Sequence, residues 1–298
     1  MKKFTKAVAA VMAGLMVLSM AGCGNSTTTE DTNTNEQTQA ADTADIKTSV
    51  EGKLIWATNA EFPPYEYHEG DQVAGIDAEV ANYIGEQLGL EVQCEDMQFD
   101  SIIAAVTSGK ADLGIAGMTV TEDRLVNVNF SDPYVNAGQV IIVKSDSDIA
   151  AKADLAGKTI GVQLGTTGDQ YVSDPANVEG ATVERYSKGF EAVQALTQGK
   201  IDAVVIDGEP AKSFVAAADE GSIKILDEPM TEEEYAIAIS KDNEALLAQV
   251  NEILAQMQEN GKMAEITEKY LGDNAVDTEA DAEETTAAEE EAETTTAA

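Results

Sequence analysis

The chain has 298 residues, of which 18 are Lys or Arg and 55 are Asp or Glu, so its formal net charge at pH 7 is −37. Such an excess of negative charge argues against nucleic acids and anionic membrane surfaces as partners, because both would repel the protein. The length suits one large domain or two moderate ones.

Residues 1–22 are predicted to be an export signal. A basic start precedes the apolar stretch 7–20, which is too short to span a bilayer. The small residues before Cys23 resemble the bacterial lipobox, with Met20 where Leu is more usual. The resemblance implies a lipoprotein signal peptide, cleavage before Cys23, and acylation of that residue with fatty acids such as palmitate. The alternative is an ordinary secretory signal with a chance cysteine.

Two segments are predicted to be disordered. Residues 23–51 are rich in Thr, Asn, Gln and acids, and we expect them to form a tether. Residues 273–298 contain Ala, Thr and acids without Lys or Arg, and we expect an acidic tail. The folded part is therefore predicted to be 52–272. Cys94 is its only cysteine, so it contains no disulfide.

A pattern occurs twice in the folded part. Residues Ala105–Asp112 and Ala195–Asp202 each predict the end of an amphipathic helix, a glycine stop and the start of a buried strand. Counted from the glycine, Gly117 and Asp207 occupy the same position, at the carboxyl end of the strand. Ligands of open α/β sheets bind outside the carboxyl ends of strands. The repeat predicts two equivalent α/β lobes that hold a small molecule between them.

Strands and helices are predicted to alternate along the folded part, which favours an α/β fold. The predicted strands include 53–57, 112–116, 159–162, 202–206 and 235–239, and 165–168 is predicted to be a glycine-rich bend.

Signatures of catalysis are scarce. The single histidine, His68, lies in a polar stretch that predicts an exposed loop, and no Cys or His cluster indicates a metal site. Neither a nucleophile elbow nor a P-loop is present. We therefore expect no catalytic residues, metal or cofactor.

Arginine is rare in the chain, which has only Arg124 and Arg185. Arg124 lies just inside a predicted short helix, and a guanidinium there suits a carboxylate ligand. The alternative is an ion pair with the adjacent Glu122 or Asp123, although adjacent helix residues do not face each other.

Asp207 follows an apolar strand and precedes Gly208. A carboxylate in that position is desolvated unless a cation meets it. The alternative is that Asp207 caps the next helix. An anion site at Arg124 and a cation site at Asp207 match the two ends of an α-amino acid.

The chain resembles the family 3 bacterial solute-binding proteins, the polar amino-acid receptors of ABC importers. The resemblance spans nearly all of 52–272. It is carried by Asn59–Tyr67, Gly75–Asp77, Ala116–Arg124, Phe130–Tyr134, Gly161–Thr167 and Ile201–Asp207.

The resemblance implies a two-lobed periplasmic-binding-protein fold of type II with two hinge crossings, near 133–138 and 231–236. Lobe 1 would hold residues 52–135 and 236–272, and lobe 2 residues 136–235. The protein would be a monomer that presents its closed form to an ABC permease in the membrane, to which the lipid on Cys23 would anchor it.

The resemblance also implies the residues that bind a free polar amino acid. Arg124 would bind the α-carboxylate, helped by Thr119 and the backbone amides near Thr167, whereas Asp207 and the Gly117 carbonyl would receive the α-ammonium. Further ligand contacts are implied for Asn59, Glu61, Phe62, Phe99, Gln163 and Thr166.

Two alternatives remain open at this point, an enzyme on the same fold, such as a dehydratase with Glu61 as its acid or base, and a sensor or adhesion lipoprotein. The side chain of the amino acid also stays open. Asn59 and Gln163 suit an amide such as glutamine, whereas Glu61 and the acidic surface suit arginine or lysine.

Overall fold

A computed structural model describes residues 46–272 of the chain. The predictions for the signal peptide, Cys23, most of the tether and the acidic tail fall outside these residues. Within 46–272, no helix combines the length and the apolar character that crossing a membrane requires.

Fifteen strands and eight α-helices form the described part. The strands are β1 Lys53–Thr58, β2 Glu61–Phe62, β3 Glu66–Glu69, β4 Gln72–Ala74, β5 Glu91–Asp96, β6 Leu113–Gly114, β7 Val128–Phe130, β8 Val135–Ala137, β9 Gln139–Lys144, β10 Thr159–Gln163, β11 Thr182–Tyr186, β12 Ala203–Asp207, β13 Ile223–Ile225, β14 Glu233–Tyr235 and β15 Ala238–Ser240. The helices are α1 Ile76–Leu88, α2 Ile102–Thr107, α3 Glu122–Leu125, α4 Thr167–Ser173, α5 Gly189–Thr197, α6 Gly208–Ala217, α7 Glu244–Glu259 and α8 Lys262–Leu271.

Two five-stranded sheets organise these elements. One has the strand order β5-β1-β6-β15-β7, and the other has the order β11-β10-β12-β9-β13. In each sheet the second strand, β1 or β10, pairs in parallel with both of its neighbours, and the central strand pairs in antiparallel fashion with the fourth strand. We call the part built on the first sheet lobe 1 and the part built on the second lobe 2. This α/β architecture agrees with the predicted fold class.

Apolar periodicity explains how the helices cover the sheets. Helix α7 buries Leu246, Val250, Leu254 and Met257, which recur every three or four residues and so lie on one face of the helix. Strand β1 is almost wholly buried, as expected for a strand with helices on both faces.

The repeated pattern has the same structure in both lobes. Asp112 accepts a hydrogen bond from the amide of Ile55 at 2.8 Å, and Asp202 accepts one from the amide of Thr159, also at 2.8 Å. Each aspartate also donates its own backbone N–H to the carbonyl of the residue that it binds. The pattern therefore holds the neighbouring parallel strand in register in each lobe.

The predicted strand 235–239 is wrong, because the structure divides this segment between two sheets. Tyr235 belongs to β14, which pairs with β8 in a two-stranded ribbon, whereas β15 joins the sheet of lobe 1. Between them, Ile237 exchanges hydrogen bonds with Ser131. Residues 235–239 form one apolar run in the sequence because the ends of β14 and β15 are both buried, although the two strands belong to different sheets.

Three other expectations differ from the structure. The glycine-rich bend continues directly into α4, and His68 lies on β3 rather than in a loop, although its side chain is exposed. The end of the expected tether also makes ordered contacts, because Ser49 donates two hydrogen bonds to Asp112. The folded part thus begins near residue 46.

Candidate functional site

A cleft collects residues from both lobes at the ends of the parallel strands. It contains about 310 Å³ of space, part of it open to solvent. The residues that line it are Asn59, Phe62, Glu66, Phe99, Ala116, Gly117, Thr119, Arg124, Gln163, Thr166, Thr167 and Asp207. All the ligand-contact residues inferred from sequence lie in this cleft except Glu61.

The Arg124 side chain is buried, with 6% of its surface exposed. Its two terminal nitrogens donate to the carbonyl of Thr119 at 2.6 Å and to the carbonyl of Gly165, in lobe 2, at 3.1 Å. Each nitrogen keeps a second N–H, because a guanidinium has five donors. Burial lowers the pKa of Arg124, and Asp207 and Glu233 oppose that shift. The group stays charged and suits an anion.

The local structure around Arg124 explains its orientation. Thr121 caps α3 by accepting a hydrogen bond from the Arg124 amide. The guanidinium lies 5.3 Å from the centre of the Phe99 ring, within range of a cation–π contact. Among residues 46–272, Arg124 forms no ion pair with Glu122 or Asp123. Since α3 has only four residues, the anion site depends on the guanidinium rather than on the helix dipole.

Asp207 faces the cleft from lobe 2, at the carboxyl end of β12. It is 5% exposed, and its Oδ2 accepts a hydrogen bond of 2.6 Å from the Tyr235 hydroxyl. Its side chain does not cap α6. Burial, reinforced by the charge of Glu233, raises the pKa of Asp207 to about 7, although the bond from Tyr235 opposes the shift. A cation beside this carboxylate would offset the cost of its burial.

Glu233 lies behind the cleft on β14, which pairs with β8 in the ribbon between the two five-stranded sheets. Its Oε2 accepts hydrogen bonds from the hydroxyls of Thr119 at 2.6 Å and Thr167 at 2.8 Å, and its Oε1 accepts one from Thr231 at 2.7 Å. Because Thr119 belongs to lobe 1 and Thr167 to lobe 2, one carboxylate links both lobes near the crossings.

Gly117 occupies a position that only glycine suits well. Its φ is +50°, and a Cβ there would lie 3.0 Å from the ring of Phe62. Its N–H donates to Asp77 at 2.8 Å, and Tyr134 donates to the same carboxyl group. The Gly117 N–H is therefore occupied, which leaves its carbonyl as the group available to a ligand. Burial raises the pKa of Asp77 despite both bonds.

Glu66 is a cleft residue that we did not predict from sequence. It is 1% exposed, and its Oε2 has no hydrogen-bond partner among the described residues. Burial, followed by the proximity of Asp77, raises the pKa of Glu66 well above its usual range. A carboxyl group with a raised pKa keeps its proton to a higher pH than usual.

The residues expected to contact the side-chain end of a ligand meet across the cleft. Gln163 of lobe 2 donates to Asn59 Oδ1 of lobe 1 at 2.8 Å in a buried hydrogen bond. Thr166 also lines the cleft, but its hydroxyl donates to the Gln163 carbonyl and caps α4. Phe62 forms part of the wall and stacks against Tyr65.

Glu61 differs from this group, because it does not line the cleft. Its carboxylate pairs instead with the ammonium of Lys188 in lobe 2. The pair joins the lobes at the rim, where both side chains are about one-third exposed. Residues 46–272 also contain no cluster of His, Cys, Asp and Glu suited to a metal ion.

The family model of the bacterial extracellular solute-binding proteins, family 3, matches residues 54–273. The chain belongs to this family. It is 34% identical over 220 residues to the arginine-binding extracellular protein ArtP of Bacillus subtilis, covering 74% of this chain and 86% of that protein. It is also 29% identical over 229 residues to the L-cystine-binding protein TcyJ of Escherichia coli, covering 76% and 85% of the two chains.

A solved structure supports the fold assignment. An ancestral arginine-binding protein bound to arginine has a TM-score of 0.71 and 41% identity, covering 74% of this chain and 99% of that chain. The chain therefore has the two-lobed type II fold of periplasmic amino-acid-binding proteins. The names of these two relatives state different amino acids, arginine and L-cystine, so family membership leaves the ligand's side chain open.

Proposed function

We propose that this chain is the substrate-binding component of an ABC importer and captures a polar amino acid between its lobes. One observation carries the proposal, namely that Arg124 and Asp207 are buried in the same cleft, with Arg124 in lobe 1 and Asp207 in lobe 2. Arg124 receives the α-carboxylate and Asp207 the α-ammonium. A ligand with both charges neutralises both groups, whereas each alone is costly to bury.

Among polar amino acids, we place the cationic ones first. The carboxyl groups of Asp77, Asp207 and Glu233 lie in or against the cleft, and the Arg124 guanidinium is the cation that lines it. Excess negative charge favours a ligand with net positive charge. The arginine-binding relatives agree with this order. Glutamine comes next, because the Asn59 and Gln163 amides complement an amide.

Binding requires the lobes to close around the ligand. The ligand first meets one lobe, and the other then closes by bending at β8 and β14. Closure excludes water and strengthens each charge-assisted hydrogen bond. Contacts between the lobes, such as Lys188–Glu61 and Gln163–Asn59, hold the closed form, which the permease would recognise. The protein performs no catalysis in this mechanism.

The proposal includes a membrane anchor on the extracytoplasmic face. Cys23, at the end of the predicted signal, would carry the lipid, and a multi-chain anchor gives stable membrane attachment. The variant Cys23→Ala tests this step. It should move the protein from the membrane fraction to the soluble fraction, and unchanged retention would contradict the anchor.

A thermal-shift screen over the twenty amino acids tests the ligand class. A ligand that binds the native state raises the melting temperature, and the shift grows as the ratio of ligand concentration to Kd grows. We expect the largest shift with arginine or lysine, and unaltered ligand should be recovered after incubation. No shift with any amino acid would contradict the proposal, and turnover would favour the enzyme alternative.

A further inference from the structure

Two contacts between the lobes lie side by side at the end of the cleft expected to hold the ligand's side chain. The inner one is the buried hydrogen bond from Gln163 to Asn59. The outer one is the ion pair between Lys188 and Glu61, which is partly exposed at the rim. Glu61 lies two residues after Asn59, and the Gln163 amide also donates to the carbonyl of Ser187, next to Lys188. The ion pair therefore covers the inner contact from the solvent side.

Both partners of the ion pair extend from ordered backbone. Lys188 is the residue before α5, and its N–H donates to the Glu191 carboxylate at 3.2 Å. Its ammonium lies 5.7 Å from the centre of the Phe190 ring, within range of a cation–π contact. Glu61 lies on β2, which pairs with β3. Because both backbones are already fixed within their lobes, forming the pair orders the side chains alone.

Opening of the lobes would separate this pair. Lys188 belongs to lobe 2, whereas Glu61 and the nearby Asp96 belong to lobe 1. The hydrogen bond to Glu61 raises the pKa of Lys188, and the charge of Asp96 acts in the same direction, so the ammonium stays charged. A ligand enclosed between two lobes leaves through an open form. A contact that opening must break slows release, and it does not slow capture, which begins from the open form.

We propose that the ion pair between Lys188 and Glu61 is an outer latch that sets how fast a bound amino acid leaves the cleft. This inference rests on the proposed function and deepens it, because it assigns the control of release to a pair outside the cleft lining. Glu61 acts by pairing with Lys188, whereas the family resemblance implied a direct contact with the ligand.

The test measures release and affinity in a double-mutant cycle. The proteins are wild type, Glu61→Gln, Lys188→Met and the double variant, which has the net charge of wild type. Bound radiolabelled L-arginine is chased with excess unlabelled L-arginine to give the release rate, and calorimetry gives Kd. We expect the double variant to release its ligand about two- to fivefold faster, the range typical of an exposed ion pair. Its capture rate, calculated from the release rate and Kd, should be unchanged.

The single variants separate a latch from long-range attraction. They change the net charge by one unit in opposite directions, so attraction alone would change L-arginine affinity in opposite directions. Loss of a latch speeds release in both, and Glu61→Gln then has little further effect in the Lys188→Met background. Changes of opposite sign, or additive ones, would overturn the inference. High salt should speed release more from wild type than from the double variant, because salt screens exposed pairs.

A matched ion pair within lobe 1 provides the control. Lys269 of α8 pairs with Glu79 of α1, and the ammonium lies 4.8 Å from the centre of the Tyr270 ring. The exposed fractions of the carboxylates are similar, 33% for Glu79 and 29% for Glu61. Because α1 packs against α8, opening leaves this pair intact. Lys269→Met combined with Glu79→Gln should therefore keep the release rate of wild type, and faster release would overturn the inference.

The outcomes also separate the latch from the proposed function. Equal release rates for wild type and the double variant overturn the latch alone, provided that wild type binds an amino acid. Wild type that binds no amino acid contradicts the proposed function, and the latch fails with it. Lys188→Arg keeps the positive charge and should keep release slow. If another amino acid gives the larger thermal shift, the same cycle is run with that amino acid, and melting curves verify that each variant folds.

Discussion

At the scale of single residues, the site depends on charged groups that are costly to bury without a partner. Arg124 donates to two backbone carbonyls, which hold it in place without neutralising it. Asp207 has a hydroxyl partner in Tyr235, which supplies one hydrogen bond and no positive charge. Both groups therefore gain most from a ligand that carries the opposite charge, and this dependence is measurable.

Arg124→Lys should weaken amino-acid binding at least about tenfold, because lysine keeps the charge but loses the forked pair of donors. Arg185→Lys is the matched control. Arg185 pairs with Asp169 in lobe 2, and it does not line the cleft. Isothermal titration calorimetry measures both affinities. Equal affinities for the two variants would contradict the role of Arg124.

Amino-acid affinity should rise with pH between 6 and 8. The pKa of Asp207 is raised to about 7, so its carboxyl is largely protonated at pH 6, where it binds an ammonium poorly. Affinity should change by up to about tenfold per pH unit below that pKa and level off above it. Asp207→Asn should bind weakly at every pH, without this slope. Titrations at several pH values measure the profile.

The single histidine provides the control for this profile. His68 contacts Asp96 on the surface and lies outside the cleft. His68→Gln should therefore keep the pH dependence of the wild type. Loss of the profile in His68→Gln, or its survival in Asp207→Asn, would contradict the assignment to Asp207.

Glu66→Gln should make the protein less sensitive to alkaline pH. Burial raises the pKa of Glu66, so the folded state holds a proton that the unfolded state has lost, and the free energy of unfolding falls as pH rises. A glutamine cannot titrate, so the substitution removes this pH dependence. Urea unfolding at pH 5 and pH 8 measures the effect, with Glu69→Gln on the exposed end of β3 as the control. Parallel pH profiles for Glu66→Gln and wild type would contradict this account.

At the scale of elements, local pattern was enough for most helices and central strands. The repeated Gly–Lys–x–Asp segments predicted the two strand starts, because helix termination by glycine and strand burial are local effects. The division of 235–239 was missed, since which sheet each residue joins depends on partners more than 100 positions away, such as Ser131. Helix α4 was missed because Gly165 and Gly168 are poor helix formers, whereas its Thr166 cap supplies the signal.

Just outside strands β8 and β14, the backbone at Gly138 and the backbone at Thr231 lie too close together for a side chain at Gly138. A Cβ at this residue would lie 2.3 Å from the backbone carbonyl oxygen of Thr231. Gly138→Ala should therefore lower the free energy of unfolding by about 1–3 kcal/mol, the usual range for overpacking. At Gly208 the nearest atom would be 3.7 Å away, so Gly208→Ala is the matched control. Equal urea midpoints for the two variants would contradict this close approach.

At the scale of the whole molecule, the account depends on how the lobes meet. Ten of the twelve residues that line the cleft are among the ligand contacts expected from sequence, because each follows a predicted strand or belongs to a recognised block. The contacts between lobes were not predictable. Glu61 pairs with Lys188, 127 positions away, and Glu233 reaches both Thr119 and Thr167 only because the crossings bring them together. Glu66 was also not predicted, because a single acidic residue in so acidic a chain does not indicate a binding site.

A crystal structure of the chain with bound L-arginine tests the central claim most directly. The account predicts that the α-carboxylate lies within hydrogen-bond distance of the Arg124 guanidinium and the α-ammonium within hydrogen-bond distance of the Asp207 carboxylate. The amino acid would then lie between the lobes, with Phe62 and Phe99 beside it. Arginine bound outside this cleft, or with its α-groups away from these two residues, would contradict the account.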